Sequence, residues 1–159
     1  MHRFLFADDM SADQTWQLLA WCVDKGASDF TVDRLWLQGK AAPFPDRFEA
    51  EMAPFRLDAQ VRPRMSAAKR DELNRSTDLW LLSGSSIGVL RAYFPDGLFT
   101  YPTSEWDEGC LEGPTFYRDQ QIMLGVVSHE REGILTLTAA EHDAVAALGI
   151  ASRDQPERL

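Results

Sequence analysis

Two capping boxes bracket this chain. Ser11 and Gln14 in "SADQTWQLL" stand at Ser-x-x-Gln spacing, and Thr138 and Glu141 in "TAAEH" at Thr-x-x-Glu spacing. At both, reciprocal side-chain bonds satisfy two amides that a helix start leaves orphaned. After the first box, Trp16, Leu19, Ala20 and Val23 recur at helical spacing, with Trp21 at the margin of that stripe and Gly26 as the stop. After the second, Val145 and Leu148 are expected to face a core, and Gly149 to end the helix.

Between these anchors most segments read as strand and turn. "HRFLF" and "DFTVDRLWLQG" carry strand signals, and "KAAPFPDRF" with its two prolines reads as a linker-like turn. In "FRLDAQVR", Phe55, Leu57, Ala59 and Val61 alternate with polar residues, the period-two pattern of a strand with one wet face. "SAAKRDELNRS" reads as a helix capped by Ser66, and "DLWLLSG" as a central strand. "SIGVLRAYF" and "LFTY" around "PDG" suggest a hairpin, and "TFYRDQQIMLGVVSH" holds two short strands around "RDQQ". The expected fold class is α+β: a largely antiparallel sheet with a helix near each end and one in the middle. One domain is expected over 1–150, with 151–159 a frayed tail.

Composition narrows the function. Nine Phe, five Trp and three Tyr in 159 residues belong to a packed globule rather than a disordered chain. No apolar run approaches the roughly 18 residues of a membrane span, and "MHRFLFADDM" does not read as a signal peptide. Cys22 and Cys110 are too few for a disulfide scaffold, so a cytoplasmic setting is expected. A net charge of −9 argues against non-specific binding to nucleic acid or membrane. The charge is uneven: between Arg56 and Arg75 six bases face three acids, so the remainder is the more acidic. Arginine outnumbers lysine thirteen to three, which suggests a GC-rich bacterial source.

Four motif matches fail on context. "VVSHEREGILTL" contains His129-Glu130, but the position four after His129 is Gly133, which cannot ligate zinc. "HEREG" is therefore expected to be a hairpin turn, with Gly133 at positive φ. "GSSIG" around Ser86 fits Gly-x-Ser-x-Gly, and Asp107 or Asp119, then His129 or His142, follow in hydrolase order. The nucleophile elbow needs a helix directly after the serine, whereas "IGVLRAYFPDG" reads as strand and turn. "SAAK" lacks the companion motifs of penicillin-recognising enzymes. "EWDEGCLEG" lacks the alternating oxygen ligands of a calcium loop. No metal site, phosphate cradle or cofactor is expected.

What remains is "PTSEWDEGCLEGP", residues 102–114, expected to be a long acidic loop. Glu105, Asp107, Glu108 and Glu112 surround Trp106, a residue type enriched at binding hot spots. Trp106, Cys110 and Leu111 could instead pin the loop to the sheet, or the loop could close over a small-molecule cleft. The leading functional expectation is a small acidic inhibitor of immunity or antitoxin type, docking Glu105, Trp106, Asp107, Glu108 and Glu112 on a basic protein partner. The alternatives are a small hydrolase or ligand-binding enzyme using Ser86 and His129 with Asp119 or Glu130, and an accessory assembly protein binding through an open sheet edge.

Overall fold

The structure, a computed structural model, describes residues 1–7, 9–58, 60–65, 73–99 and 108–155. Strands β1 (His2–Ala7), β2 (Asp29–Leu37), β3 (Leu73–Leu81), β4 (Cys110–Arg118), β5 (Gln121–Val127), β6 (Glu132–Leu137) and β7 (Arg153–Asp154) form one sheet. Their spatial order is β3-β2-β4-β5-β6-β1-β7, and every pairing is antiparallel. With helices α1 (Ala12–Asp24), α2 (Pro43–Met52), α3 (Gly84–Tyr93) and α4 (Ala139–Ala146), this is an α+β fold with an antiparallel sheet. Four successive inversions make β1 and β2 run the same way, three strands apart. Helix α1 spans that gap, so it lies across the sheet and buries one face of it.

Both expected capping boxes form, at Ser11–Gln14 and at Thr138–Glu141. The buried side of α1 is Thr15, Trp16, Leu18, Leu19 and Cys22, with Ala20 exposed and Val23 half-buried. Of the stripe read from the sequence, Trp16 and Leu19 are buried as expected, while Leu18 and Cys22 take the places expected of Ala20 and Val23. Phe30 and Phe116, stacked at 5.4 Å between ring centroids on β2 and β4, form the floor beneath the helices. Val145 is fully buried, Leu148 packs against the core, and Gly149 turns at φ 80°.

Two helices stand where turn or strand was expected. Helix α2 begins at Pro43, and its two prolines sit in the first turn, where a missing N–H leaves no intrahelical bond unmade. Pro45, Phe48 and Met52 bury its inner side. Helix α3 occupies the segment expected as the first strand of a hairpin. Ser86, Leu90 and Phe94, four apart, are all fully buried. Its cap is a Ser83–Ser86 box, in which serine replaces the usual Glu or Gln, so the start signal was hidden. "PDG" does turn, with Gly97 at φ 106°, but it follows a helix.

Strand β3 already begins at Leu73, inside the stretch expected to be helical, and it lies at the edge of the sheet rather than its centre. Residues 66–72 of that expected helix lie outside the described residues. The alternating segment after Phe55 is not a strand. Among the described residues, its main chain is tied to the edge of β3 by an Arg56–Trp80 bridge and a bond from Leu57 N to the Leu79 carbonyl (2.9 Å). From there it crosses the sheet as a strap. The Arg62 guanidinium donates to Asp29 at 3.1 Å, and the Tyr117 hydroxyl donates to the Pro63 carbonyl at 3.0 Å. Alternation marked a chain with one wet side, and this strap satisfies that without a ladder. Leu57 and Met65 pack with Leu79, Tyr117 and Ile122 into a small second core on the face opposite the helices.

Asp119 and Gln120 both adopt positive φ, the signature of a tight two-residue hairpin turn between β4 and β5. The turn expected at "HEREG" is present, but the residue at positive φ is Arg131 (φ 55°), not Gly133. Arg153 and Asp154, expected to fray, pair with Leu5 and Phe4.

Arg118, at the end of β4, joins three elements. It donates to the Lys25 carbonyl at 3.2 Å and to Glu141 at 2.6 Å. The guanidinium pulls the Glu141 carboxyl down to about 2. A depressed folded pKa means the stabilisation is complete above the ordinary carboxylate range and is lost as pH falls from about 4 toward 2. Glu141→Gln is therefore expected to remove about 2 kcal/mol at neutral pH and to flatten the acid limb, as read by urea denaturation at stepped pH.

Candidate functional site

Of the five acidic-loop residues expected to bind a partner, Glu105, Trp106 and Asp107 lie outside the described residues. Glu108 is exposed, two residues before the start of β4. Glu112 is not on a loop at all, because residues 110–114 already belong to β4. Gly109 shows why the chain enters the sheet there. It is buried at φ 82°, and a Cβ on it would come within 2.9 Å of the Leu35 carbonyl and of Pro45 Cδ.

The structure joins the two stretches that the sequence left separate. His129 Nδ1 bonds Glu112 Oε1 at 2.7 Å, and Ser128 Oγ accepts from Gly113 N at 3.1 Å. The β5–β6 turn is thereby fastened to the first half of β4. Because β5 ends at Val127 and β6 starts at Glu132, the turn sets exposed Glu130 and Glu132 at the same end of the sheet as Glu108 and Glu112. Four carboxylates thus stand at this end against exposed Arg131, with Glu112 and Glu132 on paired strands.

On the adjoining face, opposite the helices, polar residues of β2 to β4 form a second cluster. The Thr77 hydroxyl donates to Asp33 at 2.5 Å, Arg75 Nε lies 3.6 Å from the other Asp33 oxygen, and Thr31 shares a 3.1 Å bond with the Tyr117 hydroxyl. Burial pushes the Tyr117 phenol up. This cluster was missed: Thr31 and Asp33 flank apolar Val32 on β2, but Arg75 and Thr77 stand among the polar residues Asn74, Ser76 and Asp78 on β3, so no alternation marks them. The cleft over it has only about 30 Å³ of water-sized space, room for a water or two rather than an organic ligand. A larger open groove, about 630 Å³, runs between β3 and the strap.

The hydrolase residues do not meet. A helix does follow Ser86, against the sequence reading, so the elbow has to be judged on geometry. Ser86 is the third residue of α3, fully buried, and its hydroxyl donates to the Ser83 carbonyl at 3.1 Å. It is a helix cap. His129 is engaged by Glu112, and His142 stacks on Phe4 at 4.0 Å and bonds Ser152. Asp119 occupies the exposed β4–β5 turn. Burial raises the Cys22 thiol to about 12, which leaves no thiolate for nucleophilic chemistry near neutral pH.

Among the described residues, no group of three or more His, Cys, Asp or Glu side chains is arranged to hold a metal, and no helix is long and apolar enough to cross a membrane. Set against known proteins, the chain matches no family model, no curated protein and no solved structure.

Proposed function

We propose that this chain is a protein-binding protein, an inhibitor of immunity or antitoxin type, acting in the cytoplasm by docking its acidic end on a basic partner domain. The observation that carries this reading is the gathering of Glu108, Glu112, Glu130 and Glu132 where β4 begins and the β5–β6 turn closes, braced by the 2.7 Å His129–Glu112 bond. Glu112 and Glu132 stand on paired strands and Glu130 on the turn that joins two of them, so less of the complementarity to a basic surface is spent on ordering backbone. Glu105, Trp106 and Asp107 precede Glu108 in the sequence, and an aromatic residue among acids is the residue type that anchors a basic partner.

Charge reversal tests it. Glu108→Lys, Glu130→Lys and Glu132→Lys together are expected to weaken capture of the partner by about a hundredfold, mostly through slower association. The urea midpoint should stay within about 0.5 kcal/mol of the parent, because all three side chains are exposed. Unchanged affinity in a folded triple variant would exclude this end as the interface.

A further inference from the structure

We infer that a pocket at the outer edge of β1, adjoining the acidic end, receives an arginine side chain of the basic partner. The pocket follows from where a ladder stops. In the register of β1 with β7, Leu5 faces Arg153, and Ala7 would face Ala151 two steps on. That last pair does not form. Ile150 is buried in the main core, and Ser152 Oγ and His142 Nε2 share a 2.9 Å bond, so Ala151 is held between two fixed points, out of the ladder. The Ala7 carbonyl accepts from Asp9 N at 2.9 Å instead, which turns the chain at the end of β1. The gap left beside the strand has a volume of about 270 Å³. That is below the about 300–1,000 Å³ of sites for whole small molecules, and it suits one long side chain.

The lining names the occupant. Leu5, Phe6, Ala7 and Ala151 supply apolar walls, and Asp9 and Glu132 supply carboxylates. Leu5 and Phe6 point to opposite faces of β1, so the pocket opens at the strand's edge rather than over either face. Asp9 and Glu132 are exposed, whereas Leu5 is half-buried and Phe6 buried, so charge stands at the mouth and apolar wall lies deeper. Neither carboxylate has an ion pair among the described residues, and Arg153, the one base of the lining, offsets only one of them. An aliphatic stem with a cationic head fits this order, the stem against the wall and the head between the acids. Arginine fits better than lysine, because its planar fork can donate to two carboxylates at once and its guanidinium is the more weakly hydrated. Glu132 ties the pocket to the acidic end, since it pairs with Ala7 across the β1–β6 ladder and is itself one of the four carboxylates there. That the arginine belongs to a basic protein rests on the docking proposed above; the pocket's preference for a guanidinium does not.

The probe is a capped tripeptide, acetyl-Ala-Arg-Ala-amide, with its citrulline analogue, which keeps the shape and loses the charge. Binding to the full chain is read from backbone amide shifts by NMR at low salt. Shifts should saturate at millimolar peptide at Leu5, Ala7, Glu132 and Ala151, with the citrulline peptide about fivefold weaker. Ala151→Leu fills the gap from an exposed position and should abolish saturation with every charge in place. Asp9→Asn, also at an exposed side chain, should narrow the difference between the two peptides. Equal affinity for both peptides overturns the inference, as does the absence of saturable shifts or undiminished binding to the Ala151→Leu chain. Saturation centred on Glu108 and Glu130 would place the cation outside the pocket and overturns it too. No partner enters this experiment, so its failure leaves the charge-reversal test of the acidic end standing, and failure of charge reversal leaves the peptide result standing.

Discussion

A Gly133→Ala variant loses about 3 kcal/mol or more of stability, which a urea titration at neutral pH reads directly. The effect has nothing to do with backbone conformation, since Gly133 is absent from the positive-φ residues. It arises from the neighbour. Phe6 of β1 faces Gly133 in register, and its ring lies where a Cβ would be. Cε2, the least crowded of three ring atoms there, would still be 2.8 Å away. The ring has nowhere to retreat, being 3% exposed and packed edge-on against Phe99 at 5.6 Å. If crowding is the cause, Phe6→Leu in the Gly133→Ala background should cost much less than it does alone, a coupling of about 1–3 kcal/mol. A Gly133→Ala protein as stable as the parent would refute this packing.

Asp29→Ala should be comparably damaging, at about 3–5 kcal/mol. Asp29 and Arg62 side chains are only 9% and 8% exposed, and Arg62 bonds both carboxylate oxygens, at 3.1 and 3.3 Å. Removing the acid strands a guanidinium with little water to turn to. The ion pair also fastens the strap to β2, so the variant should free residues 56–65 and uncover Tyr117. Limited proteolysis in this segment should speed up along with the loss of stability. The double change Asp29→Leu with Arg62→Met, which leaves no lone charge, should be much milder, since breaking a buried pair costs more than replacing it. Equal losses in the single and double variants would mean that the pair does not anchor the strap.

The sequence was most informative where local chemistry decides structure. Capping boxes fixed the starts of α1 and α4, and the Asp119–Gln120 turn followed from two apolar runs flanking a polar pair. It misled where tertiary surroundings decide. Pro43 and Pro45 were read as breakers, yet a first helical turn tolerates both. Ile87, Val89 and Leu90 look like strand residues, and only the burial of Ser86, Leu90 and Phe94 against one core reveals the helix. The period-two pattern after Phe55 was real, but it reported one wet side and could not say whether a neighbour would pair with it.

The candidate site was legible in part. Glu108 and Glu112 were singled out as acids, and His129 as an unusual neighbour of Glu130. That His129 and Glu112 bond each other was beyond reach, since it depends on the order β4-β5-β6, which spacing alone does not encode. That β3 is an edge strand was hidden for the same reason, because an apolar run such as "LWLL" reads as central unless the strand order is known.

The most direct test of the central claim is a side-by-side capture from lysate of the source organism, using the immobilised parent chain and the Glu108→Lys, Glu130→Lys, Glu132→Lys variant, both eluted by a salt gradient. On the reading argued above, the parent retains one basic protein in near-equal amount, releases it as salt rises, and inhibits its activity, while the variant retains none. Equal retention by both, or retention of no basic protein by the parent, would contradict it.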